Sequence, residues 1–244
     1  MPDIDYIAQI RIDGARFATA VDTGPLDAPV PACGDWTLRD LARHMGRVHR
    51  WATVAAGQRR QPEGGDVEDP PDTDDDLADW IRVGVGALLD SLVGLDPSSS
   101  TWHPFPVDRV AAVWPRRQAQ ELSIHRWDAQ DAIGAPEPIE AVMASDGIDE
   151  YFELALPRLV SRESVDLPVA SLHVHCTDVD GEWTVRAGDD GVQMTREHAK
   201  GDAALRGRAE DLLLTLWRRP VPAGAVDVVG DPAAADEWLR LGGM

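Results

Sequence analysis

Apolar residues recur at helical spacing through the first half of the chain. Residues 4–21 carry them mostly at three- and four-residue intervals, until Pro25, Pro29 and Pro31 interrupt any regular element. Thr37 then offers a hydroxyl cap ahead of Leu38, Leu41, Met45 and Val48, which predicts a second helix running to about residue 56. Residues 58–76, rich in Pro, Gly and Asp, predict a mobile, solvated loop whose acidic run lacks the ordered spacing of a calcium loop. A third helix is predicted over 76–93, with Leu77, Trp80, Ile81, Val85, Leu88, Leu89 and Leu92 on its apolar side. Pro115, a favoured first-turn residue, opens a fourth helix to residue 132, with Leu122, Ile124, Trp127 and Ala129 as core contacts. A shorter helix over 138–156 carries Ile139, Val142, Met143, Ile148 and Phe152.

Beyond Pro157 the period changes. Residues 171–177 alternate in strand fashion, Asp180-Gly181 supplies a turn, and Trp183 to Arg186 resumes the alternation. Short strands follow at 192–195, 203–206 and 226–229, with helices at 209–217 and 232–241. The predicted architecture is a four-helix bundle over 1–157 followed by a small α+β domain over 168–244, joined around residues 157–168.

Composition narrows the class of function. With 43% hydrophobic residues in 244, the chain is globular and long enough to bury a sizeable core. A formal net charge of -20 argues against nucleic acid or an anionic membrane as partner, because either would be repelled. No secretory signal and no membrane-spanning apolar run is visible, and two distant cysteines, Cys33 and Cys176, do not make a disulfide framework. The expectation is a cytoplasmic protein, with an acidic monomer as the default.

Candidate chemistry centres on the fourth helix. Glu121 and His125 lie four residues apart and share a helical face, and a third donor from another helix would complete a metal site. His44 and His49 on the second helix are about 140 degrees apart, so only one can point at such a centre. His44 follows the apolar face, whereas His49 stands between Arg47 and Arg50 and reads as exposed. Spacing alone leaves two readings open for His44, Glu121 and His125, a metal site or ordinary polar residues. His173 and His175, two apart on a strand, share a face but have no third donor at telling spacing. No Gly-x-Ser-x-Gly elbow, phosphate-cradling glycine loop or His-Glu-x-x-His motif is present.

Three N-terminal segments, Pro31 to Trp51, Trp114 to Ala129 and Asp146 to Glu150, together resemble the mycothiol-dependent maleylpyruvate isomerase family, whose bundle is of the DinB-like metal-binding type. The C-terminal stretches Ala203 to Arg219 and Val226 to Asp231 are similar to that family's sterol-carrier-like module. The resemblance implies zinc, or another divalent metal, held by His44, Glu121 and His125, with mycothiol as co-substrate. It implies an isomerase or S-transferase in which a metal-bound thiolate attacks a small electrophile. A basic catalytic group is implied from the C-terminal domain, nearest matched by Arg218 or Arg219. Arg117, one turn before Glu121, is read either as a cofactor-binding cation or as the carboxylate's ion-pair partner, and Asp128 as an acceptor behind a ligand histidine. The family pattern often has His before the ligand Glu, where this chain has Gln120. A non-catalytic binding protein with a structural or vestigial metal site, or a metal-assisted hydrolase, are the alternatives.

Overall fold

The computed structural model describes residues 4–189 and 191–242. The described residues form two compact units, one of residues 4–103 and 108–138 and the other of residues 104–107 and 139–242.

The first unit is an all-helical bundle of α1 (Tyr6–Thr23), α2 (Leu38–Gln58), α3 (Leu77–Leu92) and α4 (Val113–Ala132). Helix α1 is capped by Asp5, whose carboxylate accepts from the Ala8 amide at 2.9 Å. Helix α2 begins in a capping box, in which the Thr37 amide donates to Asp40 and the Asp40 amide to the Thr37 hydroxyl. Its buried stripe, Leu38, Leu41, Met45, His49, Ala52 and Ala56, follows the three- and four-residue spacing of an inward helical face. At the α2–α3 crossing Gly46 lies beneath Trp80, where a Cβ would sit 1.9 Å from the Trp80 ring. Gly46→Ala is therefore expected to lower stability in chemical denaturation by at least the roughly 1–3 kcal/mol typical of overpacking. Unchanged stability would contradict so close an approach. Trp51 meets Trp102 and Trp114 edge-on, both at 5.6 Å.

Most carboxylates of the acidic segment after α2 are solvent-exposed, as expected, and several pair with arginines. Arg39 pairs with Asp74 at 2.7 Å, Arg47 with Asp69 and Arg50 with Glu68 at 2.9 Å, and Arg60 with Asp66 at 2.6 Å. Arg39, Arg47 and Arg50 of α2 thus meet carboxylates of this segment, while Arg60 pairs within it.

The second unit is a mixed five-stranded sheet with helices. Its strands are β1 (Leu172–Cys176), β2 (Glu182–Gly188), β3 (Gly191–Thr195), β4 (Ala203–Gly207) and β5 (Val226–Gly230), in spatial order β3-β2-β1-β4-β5. Only β1 and β4 run parallel; the other neighbours are antiparallel. Leu172, Val174, Cys176, Trp183, Val185 and Leu205 are buried from alternate strand positions. Helices α5 (Ala141–Glu150), α6 (Leu156–Glu163), α7 (Ala209–Leu216) and α8 (Pro232–Leu241) complete the unit.

The domain boundary differs from the expectation of 157. Helix α5 packs with α7, and the Ile139 amide at its entry donates to Glu210 at 2.9 Å, so the chain divides after residue 138. The helix predicted over 138–156 also continues, through a π-helical turn at Tyr151–Ala155, into α6. Pro157 lacks the amide that the α-helical ladder needs, and a widened turn before it lets the helix pass.

Candidate metal centre

Helix α4 places Glu121 and His125 one turn apart, and α2 brings His44 to them. The Glu121 Oε1 atom is 3.7 Å from His44 Nε2 and 3.6 Å from His125 Nε2, and the two rings meet edge-on at 5.5 Å. The three donor atoms lie within 4.8 Å of one another. Nitrogen and oxygen ligands at zinc distances in a tetrahedron stand about 3.4 Å apart, so a small contraction would bring these to coordination geometry.

What surrounds the donors leaves the right atoms open. Arg117 Nη2 donates to Glu121 Oε2 at 2.6 Å, so that oxygen is engaged and Oε1 faces the imidazoles. Arg117 is itself buried. Of its two candidate roles the geometry supplies the ion pair with Glu121. Behind His125, Nδ1 stands 2.9 Å from Asp128 Oδ2, and donation from that nitrogen leaves Nε2 as the lone-pair donor. His44 is flanked by Trp36, ring centroids 5.0 Å apart. The His44, Glu121 and His125 side chains keep 36%, 25% and 13% of their surface exposed, so one side of the cluster is open to solvent.

The local field favours a positive charge at this centre. Burial alone would raise the Glu121 carboxyl, but Arg117, followed by the two imidazoles, outweighs it and holds the group well below the usual carboxylate range. Burial alone would lower His125, but Asp128, Cys33 and Glu121 outweigh it and raise the imidazole well above its ordinary value. A metal ion would take the place of that proton.

Two residues depart from the sequence reading. His49, expected on the surface, is fully buried on the inward stripe of α2, whereas His44 lies at the flank of that stripe, half-exposed, where it meets α4. The flanking arginines of His49 were a misleading signal; the spacing Met45, His49, Ala52 was the better one. Among the described residues neither ring nitrogen of His49 has a hydrogen-bond partner. Burial, and then the Arg50 charge, pushes its pKa down to about 3 from 6.5. Because the unfolded chain binds this proton first, its contribution is complete above about pH 6.5 and lost as pH falls toward 3, with a slope of up to about 1.4 kcal/mol per pH unit. The stability difference between wild type and His49→Leu is expected to be flat above pH 7 and to move against wild type below 6; a flat difference throughout would show that the imidazole titrates alike in the folded and unfolded chain.

Cys33 is the residue that sequence spacing missed. Its Sγ lies 3.9 Å from Asp128 Oδ2, at the back of His125. Only the Pro-rich turn before α2, which returns to α4, places it there, and no local motif encodes that return. Arg218 and Arg219 follow α7 in the second unit: Arg218 adopts a left-handed backbone with φ 58°, and Arg219 donates to the Trp217 carbonyl at 2.8 Å.

Two imidazoles and a carboxylate thus project together from facing helices, the arrangement from which helical bundles can build a metal site, here in one chain with a mixed-sheet unit. Residues 7–130 match the family model described as the Mycothiol maleylpyruvate isomerase N-terminal domain, and residues 143–237 match the corresponding C-terminal domain model. The chain belongs to the mycothiol maleylpyruvate isomerase family. A crystal structure titled as the mycothiol-dependent maleylpyruvate isomerase superposes with a TM-score of 0.59 at 11% identity, covering 94% of this chain and 93% of that one. A histidine-to-alanine variant titled in the same way gives 0.58 at the same identity and coverage. At that identity the likeness establishes the fold. No curated protein matches the chain. Among the described residues no helix is long and apolar enough to cross a membrane.

Proposed function

We propose that the chain is a metal- and mycothiol-dependent isomerase or S-transferase acting on a small electrophilic substrate. The observation that carries this reading is the open cluster of His44, Glu121 and His125, three donors with one side exposed to solvent, in a chain of this family. A closed structural site would have supplied a fourth protein ligand instead.

His44 Nε2, Glu121 Oε1 and His125 Nε2 are the atoms assigned to the metal, zinc being the ion that this donor set suits. When bound, the ion lowers the pKa of a coordinated thiol, so that the nucleophile is present as thiolate at neutral pH. The remaining roles fall to the chain itself. Arg117 keeps Glu121 ionised and directs Oε1 toward the imidazoles, and Asp128 holds the ring orientation of His125. Arg218 and Arg219 are assigned to the anionic parts of thiol or substrate, because a guanidinium matches a carboxylate in shape and charge. In isomerisation a C–S bond forms at one carbon of an activated double bond, rotation follows about the resulting single bond, and loss of the same C–S bond returns the thiol. In S-transfer the C–S bond is retained: the π pair of the double bond passes to its conjugated acceptor and a proton from solvent is taken up at the neighbouring carbon, or, at a saturated electrophile, the leaving group departs with its bonding pair.

The test is turnover of maleylpyruvate-like electrophiles by metal-loaded protein with and without added mycothiol. Thiol-dependent turnover supports the proposal; thiol-independent hydrolysis by the metal-loaded protein would replace it. Asp128→Asn is expected to keep the fold and weaken zinc binding by about 10- to 100-fold, the usual effect of losing the group behind a ligand histidine. Unchanged affinity in a competition titration would remove Asp128 from the site.

A further inference from the structure

The sheet unit holds a second constellation of imidazoles that the bundle chemistry does not use. His173 and His175 lie two apart on β1 and share a face, as the sequence spacing requires. The third donor comes from the segment after β3, where His198 returns over the same face. Its ring centroid lies 5.6 Å from that of His173 and 6.2 Å from that of His175, while the two strand histidines are 6.1 Å apart. The donor nitrogens of all three lie within 4.8 Å of one another.

The strand register supplies what surrounds them. His173 is paired with Thr184 and His175 with Glu182 on β2, so hydroxyl and carboxylate stand on the face of the imidazoles. Thr184 Oγ1 is 3.3 Å from His173 Nδ1, and donation from that nitrogen leaves Nε2 as the lone-pair donor. His173 is only 5% exposed, and its Nε2 atom is buried without a hydrogen-bond partner among the described residues. An orphaned buried acceptor of this kind is unfavourable, and a coordinated cation would offset that cost. Glu182 reaches both other rings, 3.4 Å from His175 Nε2 and 2.8 Å from His198 Nδ1, and contributes negative charge beside the cluster. Exposure rises from buried His173 through half-buried His175 to His198, 79% exposed in its side chain, so an ion can enter from solvent along this edge.

We propose that His173, His175 and His198, with Glu182 beside them, form a second site for a divalent transition-metal ion in the sheet unit, separate in its ligands from His44, Glu121 and His125. Three imidazoles select zinc, copper or nickel over magnesium or calcium, which take oxygen ligands. The ion would join the segment after β3 to strand β1.

The test uses the full-length chain without a histidine tag and cobalt(II) as the probe. In a His44→Ala/His125→Ala background, which removes two ligands of the bundle cluster, one equivalent of cobalt is expected to bind with visible ligand-field bands. Adding His198→Asn should weaken that binding at least 10-fold, the lower end of the loss seen even for outer groups. As a measurement independent of the bundle variants, His198→Asn in the otherwise wild-type chain should lower zinc content by one equivalent. Absence of cobalt binding in a folded double variant, or equal metal content with and without His198, would overturn the proposal.

Discussion

His125→Ala is expected to lose one equivalent of metal relative to wild type and, with it, thiol-dependent turnover. The side chain supplies one of three protein donors, and its removal leaves His44 and Glu121 as a two-ligand fragment beside an Arg117 that already competes for the carboxylate. The loss of affinity should exceed the 10- to 100-fold seen when only an outer partner is removed. Stability should follow by mass action. A wild-type chain held at one hundred times its dissociation constant in zinc gains about 2.7 kcal/mol, whereas the variant at the same zinc concentration gains much less. Thermal unfolding with and without added zinc separates the two. Equal metal content in wild type and variant, each purified without chelator, would place the metal elsewhere and end the reading of this cluster as the reactive centre.

Separating Asp13 from Arg126 is expected to produce the largest loss of stability in the bundle. Both side chains are buried, and Arg126 Nε donates to Asp13 Oδ1 at 3.2 Å. The guanidinium also reaches Gln130 Oε1 at 3.0 Å and the backbone carbonyls of Glu137 and Pro138, while Gln9 donates to the other oxygen of Asp13 at 2.8 Å. Removing one partner leaves an uncompensated buried charge, so Asp13→Leu or Arg126→Met alone should lose about 3–5 kcal/mol. The double variant should lose much less than the sum, because neither charge then remains buried. A double-mutant cycle in denaturant measures this coupling, and additive losses would show that the two groups do not act as a pair. Arg126 adjoins His125, and its bonds run from α4 to α1 and to the chain leaving α4. The same pair therefore holds the rotation of the helix that presents Glu121 and His125.

Much of this was legible along the chain. The helical periods of residues 4–21, 37–56, 76–93 and 115–132 correspond to α1 to α4, because a stripe of apolar residues at three and four must be buried wherever the helix lies. The alternation of 171–177 and 183–186 likewise appears as β1 and β2. Local chemistry was less decisive. Charged neighbours made His49 look exposed, yet its place on the stripe of Met45 and Ala52 buries it. Pro157 read as a helix end, yet a π-helical turn carries the helix past it into α6.

By itself the sequence determined which residues can share a face: Glu121 with His125 on a helix, His173 with His175 on a strand. Those relations depend only on the repeat of the backbone and hold in any fold that keeps the element. Only the tertiary structure decided which donors meet across elements. The α2–α4 packing brings His44 to Glu121, the turn at Cys33 returns to Asp128, and the segment after β3 carries His198 onto β1. Such meetings are set by packing between segments many residues apart, and no local period records them.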